Sequence, residues 1–236
     1  IPKRDWSSDV CSSDLTALNK IAALKKRIKV IQGGTSASKT FSIIALLIHK
    51  AALYQNTEIS VVSESIPHLK KGALKDFIKI MKQTNRWIEN NYNATDRKYT
   101  FSNGSYIEFF SPEAVLGARR NKLFITECNN ISFEDYHQLA IRTDGEIYLD
   151  FNPSEEFWVH KELIGDPDVD FIILTYKDNE ALSETIISSL LKAEQKAKSG
   201  DKYWVNWWNV YGLGQIGTTE GTIFTNINLV DEFPKE

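Results

Sequence analysis

The residues with the clearest chemical capacity are Gly33-Gly34-Thr35-Ser36-Ala37-Ser38-Lys39-Thr40, which fit the pattern G-x-x-x-x-G-K-[ST] except that Ser38 replaces the second glycine. A turn of small residues lets backbone N–H groups face phosphate oxygens, and a helix behind it adds its positive N-terminal end. In such a loop Lys39 reaches the β- and γ-phosphates and the Thr40 hydroxyl ligates Mg²⁺. Gly33 through Thr40 is therefore the expected nucleotide-binding segment, with ATP and Mg²⁺ as the expected cofactors. The competing reading is a Gly/Ser turn with Lys39 as a solvated first-turn residue, and Ser38 is what keeps that reading open.

A phosphate loop that hydrolyses its nucleotide needs a second, acidic element at a neighbouring strand end. Leu123-Phe124-Ile125-Thr126-Glu127 occupies the right place. Thr126 stands where an aspartate is usual, so Mg²⁺ is expected on Thr40, phosphate oxygens and water, with Thr126 bonding to a metal-bound water at most. Glu127 is left as the candidate general base, against the alternative of a plain carboxylate at an exposed strand end.

These residues need strands and helices to position them. Arg27-Ile28-Lys29-Val30-Ile31 is a β-branched run before the loop, and Phe41 to Tyr54 is too long and too rich in Leu and Ala for a strand. Thr57 to Ser63 predicts a second buried strand, and Ile66 to about Lys82 a helix with Pro67 in its first turn. Lys70, Lys71, Lys75, Lys79 and Lys82 make one side of that helix basic, either a solvated face or a contact for a phosphate backbone. Asn103-Gly104 between residues 97–102 and 105–110 predicts a hairpin with a two-residue turn, added at an edge of a parallel sheet. Further strands are expected at 122–127, 146–151 and 169–176, and helices at 131–141 and 183–198, the last capped by Ser183 and stopped by Gly200. Trp204, Trp207 and Trp208 at i, i+3 and i+4 predict a packed helix face.

With 236 residues, 42% of them hydrophobic, the chain can bury one large α/β core, and a net charge of −3 leaves no global signal for nucleic acid. Cys11, Cys128 and the four histidines show no ligand spacing, so neither a disulfide nor a structural zinc is expected. No stretch has the length of a membrane span, which points to an intracellular, reducing compartment. The Ser/Asp near-repeat in residues 6–15 has no amphipathic period; residues 1–20 are read as a disordered leader or non-native segment. Residues 21–200 are then the ATPase core and 201–236, with Gly212, Gly214, Gly217 and Gly221, a linker or lid.

The chain resembles the large terminase subunits of tailed bacteriophages. The resemblance rests on the phosphate loop, on Thr126-Glu127-Cys128-Asn129, on Asp150-Phe151-Asn152-Pro153 followed by Phe157-Trp158, on Thr175 to Asn179, and on Tyr211-Gly212 and Glu220 to Phe224. It implies a RecA-like α/β fold with a mainly parallel central sheet flanked by helices, and an ATP-hydrolysing motor domain that drives double-stranded DNA into the procapsid. It carries the γ-phosphate coupling role to Asn152, with Asp150 the weaker candidate. Many such motors have an arginine in the phosphate loop, where this chain has Thr35, Ser36 and Ala37. Arg119 and Arg120 are the expected replacements, acting on a neighbouring subunit or else standing as plain surface residues. Double-stranded DNA, a portal protein and a small terminase subunit are the implied partners, in a ring of copies that is monomeric in isolation and contacts no membrane. The implied location is the host cytoplasm, in a transient complex left out of the mature virion. The family's nuclease part is not expected within this stretch, so no DNA cleavage is expected of it. Alternatives are another DNA-dependent, helicase-like ATPase, a small-molecule phosphotransferase, and a catalytically decayed interaction module.

Overall fold

In the computed structural model, residues 15–112 and 118–218 are described. Eight strands among them form one sheet: β1 (Ile28–Gly33), β2 (Glu58–Val62), β3 (Tyr92–Asn93), β4 (Lys98–Thr100), β5 (Tyr106–Phe110), β6 (Lys122–Ile125), β7 (Ile147–Phe151) and β8 (Val169–Leu174), in the order β3-β4-β5-β2-β6-β7-β1-β8. The six strands from β5 to β8 in that order run parallel, and β4 joins β5 antiparallel at the edge. The β-branched and aromatic strands bury side chains on both faces, as a parallel sheet between helices requires.

Alternation along each strand divides the core in two. Ile31, Val61, Phe124 and Tyr148 face one way, against α2 (Lys39–Leu53) and α4 (Ala73–Gln83). Val30, Val62, Ile125 and Leu149 face the other way, against α5 (Phe133–Ala140) and a π-helical turn at Val159–Leu163. This is the expected RecA-like sandwich, with β1, β7 and β6 side by side. At the amino end of the sheet Glu146 receives Lys29, Lys50 and Lys122, at 3.0, 2.6 and 2.7 Å. Burial alone would raise the Glu146 carboxyl, but hydrogen bonds from these lysines outweigh it and hold the group well below the usual carboxylate range.

Several expectations are corrected. Helix α1 (Leu15–Ala22) begins before the boundary at residue 20 and buries Ala17 and Ile21, so its apolar period belongs to the core; residues 1–14 lie outside the described residues. The helix expected from Ile66 to Lys82 breaks at Gly72 (φ −106°, ψ −108°) into α3 (Ile66–Lys71) and α4. The hairpin is present, but its turn is longer than two residues. Thr100 pairs with Tyr106, Phe101 N–H donates to the Ser105 carbonyl, and only Gly104 has positive φ. The Asn103 amide is used instead to donate to the Ala51 and Tyr54 carbonyls at the end of α2.

Helix α6 (Glu184–Lys198) starts at the Ser183 cap, whose hydroxyl accepts from Ile186 N–H. Residues 201–212, expected as the start of a linker or lid, form α7 (Lys202–Trp207) and a π-helical turn to Gly212. Trp204, Trp207 and Trp208 pack there with Leu190 and Ala193 of α6. The Glu220–Phe224 motif lies outside the described residues.

Candidate active site

The ends of β1, β7 and β6 open onto a cavity of about 230 Å³ lined by Thr35 to Phe41, Asp76, Glu127, Asp150, Phe151 and Asn152. Its floor is the loop between β1 and α2, in which Ser36 and Ser38 both hold left-handed backbone (φ 59° and 60°). A glycine would adopt this freely, so Ser38 carries a local cost where the usual pattern has none. Lys39 folds over the loop, its Nζ donating to the carbonyls of Gly33 (3.1 Å) and Gly34 (2.9 Å) and to Asn152 Oδ1 (2.7 Å). Burial pushes the Lys39 ammonium down to about 8, opposed by Asp150 and Glu127.

Not every loop amide faces the cavity. Gly34 N–H donates to the Leu174 carbonyl (3.0 Å) and Thr35 N–H to the Tyr211 carbonyl (2.8 Å), while Gly33 ends β1 within the sheet. Gly33 and Gly34 therefore anchor the loop, and the cavity lining begins at Thr35. Further support comes from Asn179, whose amide donates to the Ser36 carbonyl at 2.8 Å, and from Gln32, whose amide donates to the Gly214 carbonyl at 2.6 Å.

Asp150 is 1% exposed. It accepts from the Thr40 hydroxyl at 2.5 Å through Oδ2 and from Glu127 N–H at 2.9 Å through Oδ1. Burial pushes its carboxyl above the usual range, against the pull of Lys39, Thr40, Glu127 and Thr126. Glu127 sits in the left-handed region (φ 52°) with its side chain 58% exposed, 3.8 Å from His68 Nδ1. Such a backbone in a non-glycine residue costs about 1 kcal/mol or more and persists only where the surroundings impose it. Here Asp150 and the following turn at Cys128–Asn130 do so. Burial pushes the neighbouring Cys128 thiol up, so it is an inert part of the core.

The structure brings Lys39, Thr40, Thr126, Glu127 and Asn152 together and leaves Arg119 and Arg120 elsewhere. Both arginines precede β6, at the end of the sheet away from the phosphate loop. Arg120 is 1% exposed, donates to the carbonyls of Leu139 and Ala118 and lies over the Phe110 ring, so it is a core residue and not a free cation. Arg119 is 80% exposed, 3.9 Å from Asp144, and does not line this cavity. Sequence reasoning missed Asp76 and His68, which carry no motif, and underrated Asp150, whose place in Asp150-Phe151-Asn152-Pro153 was the available signal.

A mainly parallel sheet carrying a phosphate loop, with a carboxylate and an amide on the adjoining strand ends, defines a RecA-like P-loop domain. The chain belongs to the phage terminase large subunit family, whose sequence pattern matches residues 25–207. Its fold is similar to that of the large terminase from a thermophilic bacteriophage: TM-score 0.67 at 17% identity, over 85% of this chain and 52% of that one. The same thermophilic-phage protein in complex with ATP-gamma-S gives TM-score 0.64 at 15% identity, over 76% and 48%. The large terminase ATPase domain of Thermus phage P74-26 gives 0.59 at 10% identity, over 84% and 93%. The chain thus spans about half the length of the first of these proteins. No curated protein sequence matches. Among the described residues no helix is long and apolar enough to cross a membrane.

Proposed function

We propose that this domain hydrolyses ATP to drive double-stranded DNA into a procapsid, as the motor part of a terminase large subunit. The observation that carries the reading is the convergence of Lys39, Thr40, Glu127 and Asn152 on one cavity at the carboxyl ends of adjacent parallel strands. Lys39 neutralises the β- and γ-phosphates, and the Ser36 to Thr40 segment with the start of α2 cradles them. Glu127, exposed at the cavity mouth, orients and deprotonates the attacking water. Asn152, already hydrogen-bonded to Lys39, senses the γ-phosphate through that lysine and passes the change to β7.

The residues present fit Mg²⁺. The Thr40 hydroxyl faces the cavity, and no group of three or more His, Cys, Asp or Glu among the described residues forms a protein-only cage. An ion held largely by phosphate oxygens and water needs no such cage. When bound, it neutralises charge on the phosphate oxygens. Arg119 would complete the site of a neighbouring copy in a ring, with the portal protein, small terminase subunit and DNA as partners in the host cytoplasm.

The test is ATP turnover by the purified chain with and without double-stranded DNA. Lys39→Ala is expected to abolish nucleotide binding or turnover, and Glu127→Gln to keep binding while slowing turnover about 10²- to 10⁴-fold. Turnover at the parent rate in Glu127→Gln would mean that another carboxylate is the base.

A further inference from the structure

We infer that Asp150 supplies the metal-side carboxylate of this site, a role displaced by one strand from its usual place at Thr126. The assignment rests on the nucleotide-binding reading above and names a residue for it. The register pairs Ile125 of β6 with Leu149 of β7, and Ile31 of β1 with Asp150. The next step along the β6–β7 pair sets Thr126 beside Asp150. Neighbouring parallel strands lie about 4.8 Å apart, so a carboxylate moved from one strand end to the next stays within reach of the same cavity. Asp150 Oδ2 is 2.5 Å from Thr40 Oγ1, the one hydroxyl of the loop that a phosphate-bound Mg²⁺ requires, and Thr126 is itself a hydrogen-bond partner of Asp150.

The charge is also unbalanced. Asp150 is 1% exposed, and among the described residues no lysine, arginine or histidine lies within ion-pair distance of it. Lys39, the cation whose charge acts on it, gives its hydrogen bonds to Gly33, Gly34 and Asn152 instead. A buried carboxylate without a contact cation is costly, and a divalent ion at Thr40 removes that cost. Through Oδ1 the same carboxylate holds the Glu127 N–H, so the group that meets the metal also sets the backbone of the base. Asp150 is thus both a metal-side ligand, directly or through one water, and a positioning residue for Glu127.

The experiment reads affinity for a fluorescent, slowly hydrolysed ATP analogue with Mg²⁺ and with EDTA, so it does not depend on turnover. The parent is expected to bind about tenfold or more tightly with Mg²⁺. Asp150→Asn is expected to bind the metal-free analogue at least as tightly as the parent and to lose about 10- to 100-fold of metal-dependent affinity. If Asp150→Asn keeps the parent's full gain from Mg²⁺, the assignment is overturned. Should that variant not fold, Thr126→Asp in the parent chain decides. A gain from Mg²⁺ that stays within about threefold of the parent's supports a site already holding its carboxylate, and a larger rise shows that the site lacked one. A parent chain that binds the analogue in neither condition sinks the proposed function, and this assignment with it.

Discussion

Replacing Gly34 by alanine tests whether the segment after α7 is built onto the phosphate loop. A methyl group there would lie 2.3 Å from the Tyr211 carbonyl oxygen, 2.9 Å from its carbon and 3.2 Å from the Gly212 oxygen. All three are main-chain atoms, so no rotamer change relieves the contact. Ordinary separations begin near 3.5 Å, and the two segments must part by about 1 Å. That movement breaks the 2.8 Å hydrogen bond from Thr35 N–H to the Tyr211 carbonyl. Overpacking costs about 2 kcal/mol and the lost hydrogen bond about 1 kcal/mol, together about 3 kcal/mol. For a chain of this size the melting temperature should fall by roughly 6 to 12 °C. Thermal unfolding by circular dichroism measures this, and nucleotide titration should show weaker binding because the displaced loop carries Ser36 to Thr40. Truncating the Tyr211 side chain in the same variant must not restore stability, since the main-chain oxygen makes the clash. A Gly34→Ala protein that melts and binds like the parent would refute the docking of residues 211–214 on the loop.

Other outcomes follow from the same geometry. Ser38→Gly relieves a left-handed backbone (φ 60°) and should raise stability by about 0.5 to 1 kcal/mol in denaturant titration, with nucleotide affinity equal or better. Glu146 has a lowered carboxyl pKa, so the stability it contributes is complete above its ordinary value near 4.5 and declines as pH falls toward the folded value. Glu146→Gln, leaving three lysines without their anion, the 2%-exposed Lys29 among them, should lose about 3 kcal/mol at neutral pH, and the gap to the parent should narrow in acid. Mixing Arg119→Ala chains with Glu127→Gln chains should recover turnover in assembled protein if Arg119 serves a neighbouring site; no recovery under assembling conditions removes Arg119 from the mechanism.

Much of this protein was legible along the chain because the deciding patterns are local. Small residues followed by Lys39-Thr40 between a β-branched run and a Leu/Ala-rich run specify strand, phosphate loop and helix without reference to distant residues. The buried runs at 58–62, 122–125 and 147–151 became adjacent parallel strands, and Ser183 capped its helix, since a cap depends on only three following residues. What the tertiary structure decided is which distant groups meet. Arg119 and Arg120 look equivalent in sequence, yet the bridge of Arg120 to Thr143 draws one into the core and leaves the other in solvent. The Tyr211 carbonyl meets Thr35 only because α6 and α7 return the chain to the end of β1. Asp150 stands beside Thr126 and Thr40 through strand register, a relation between segments far apart in the chain that no local pattern encodes.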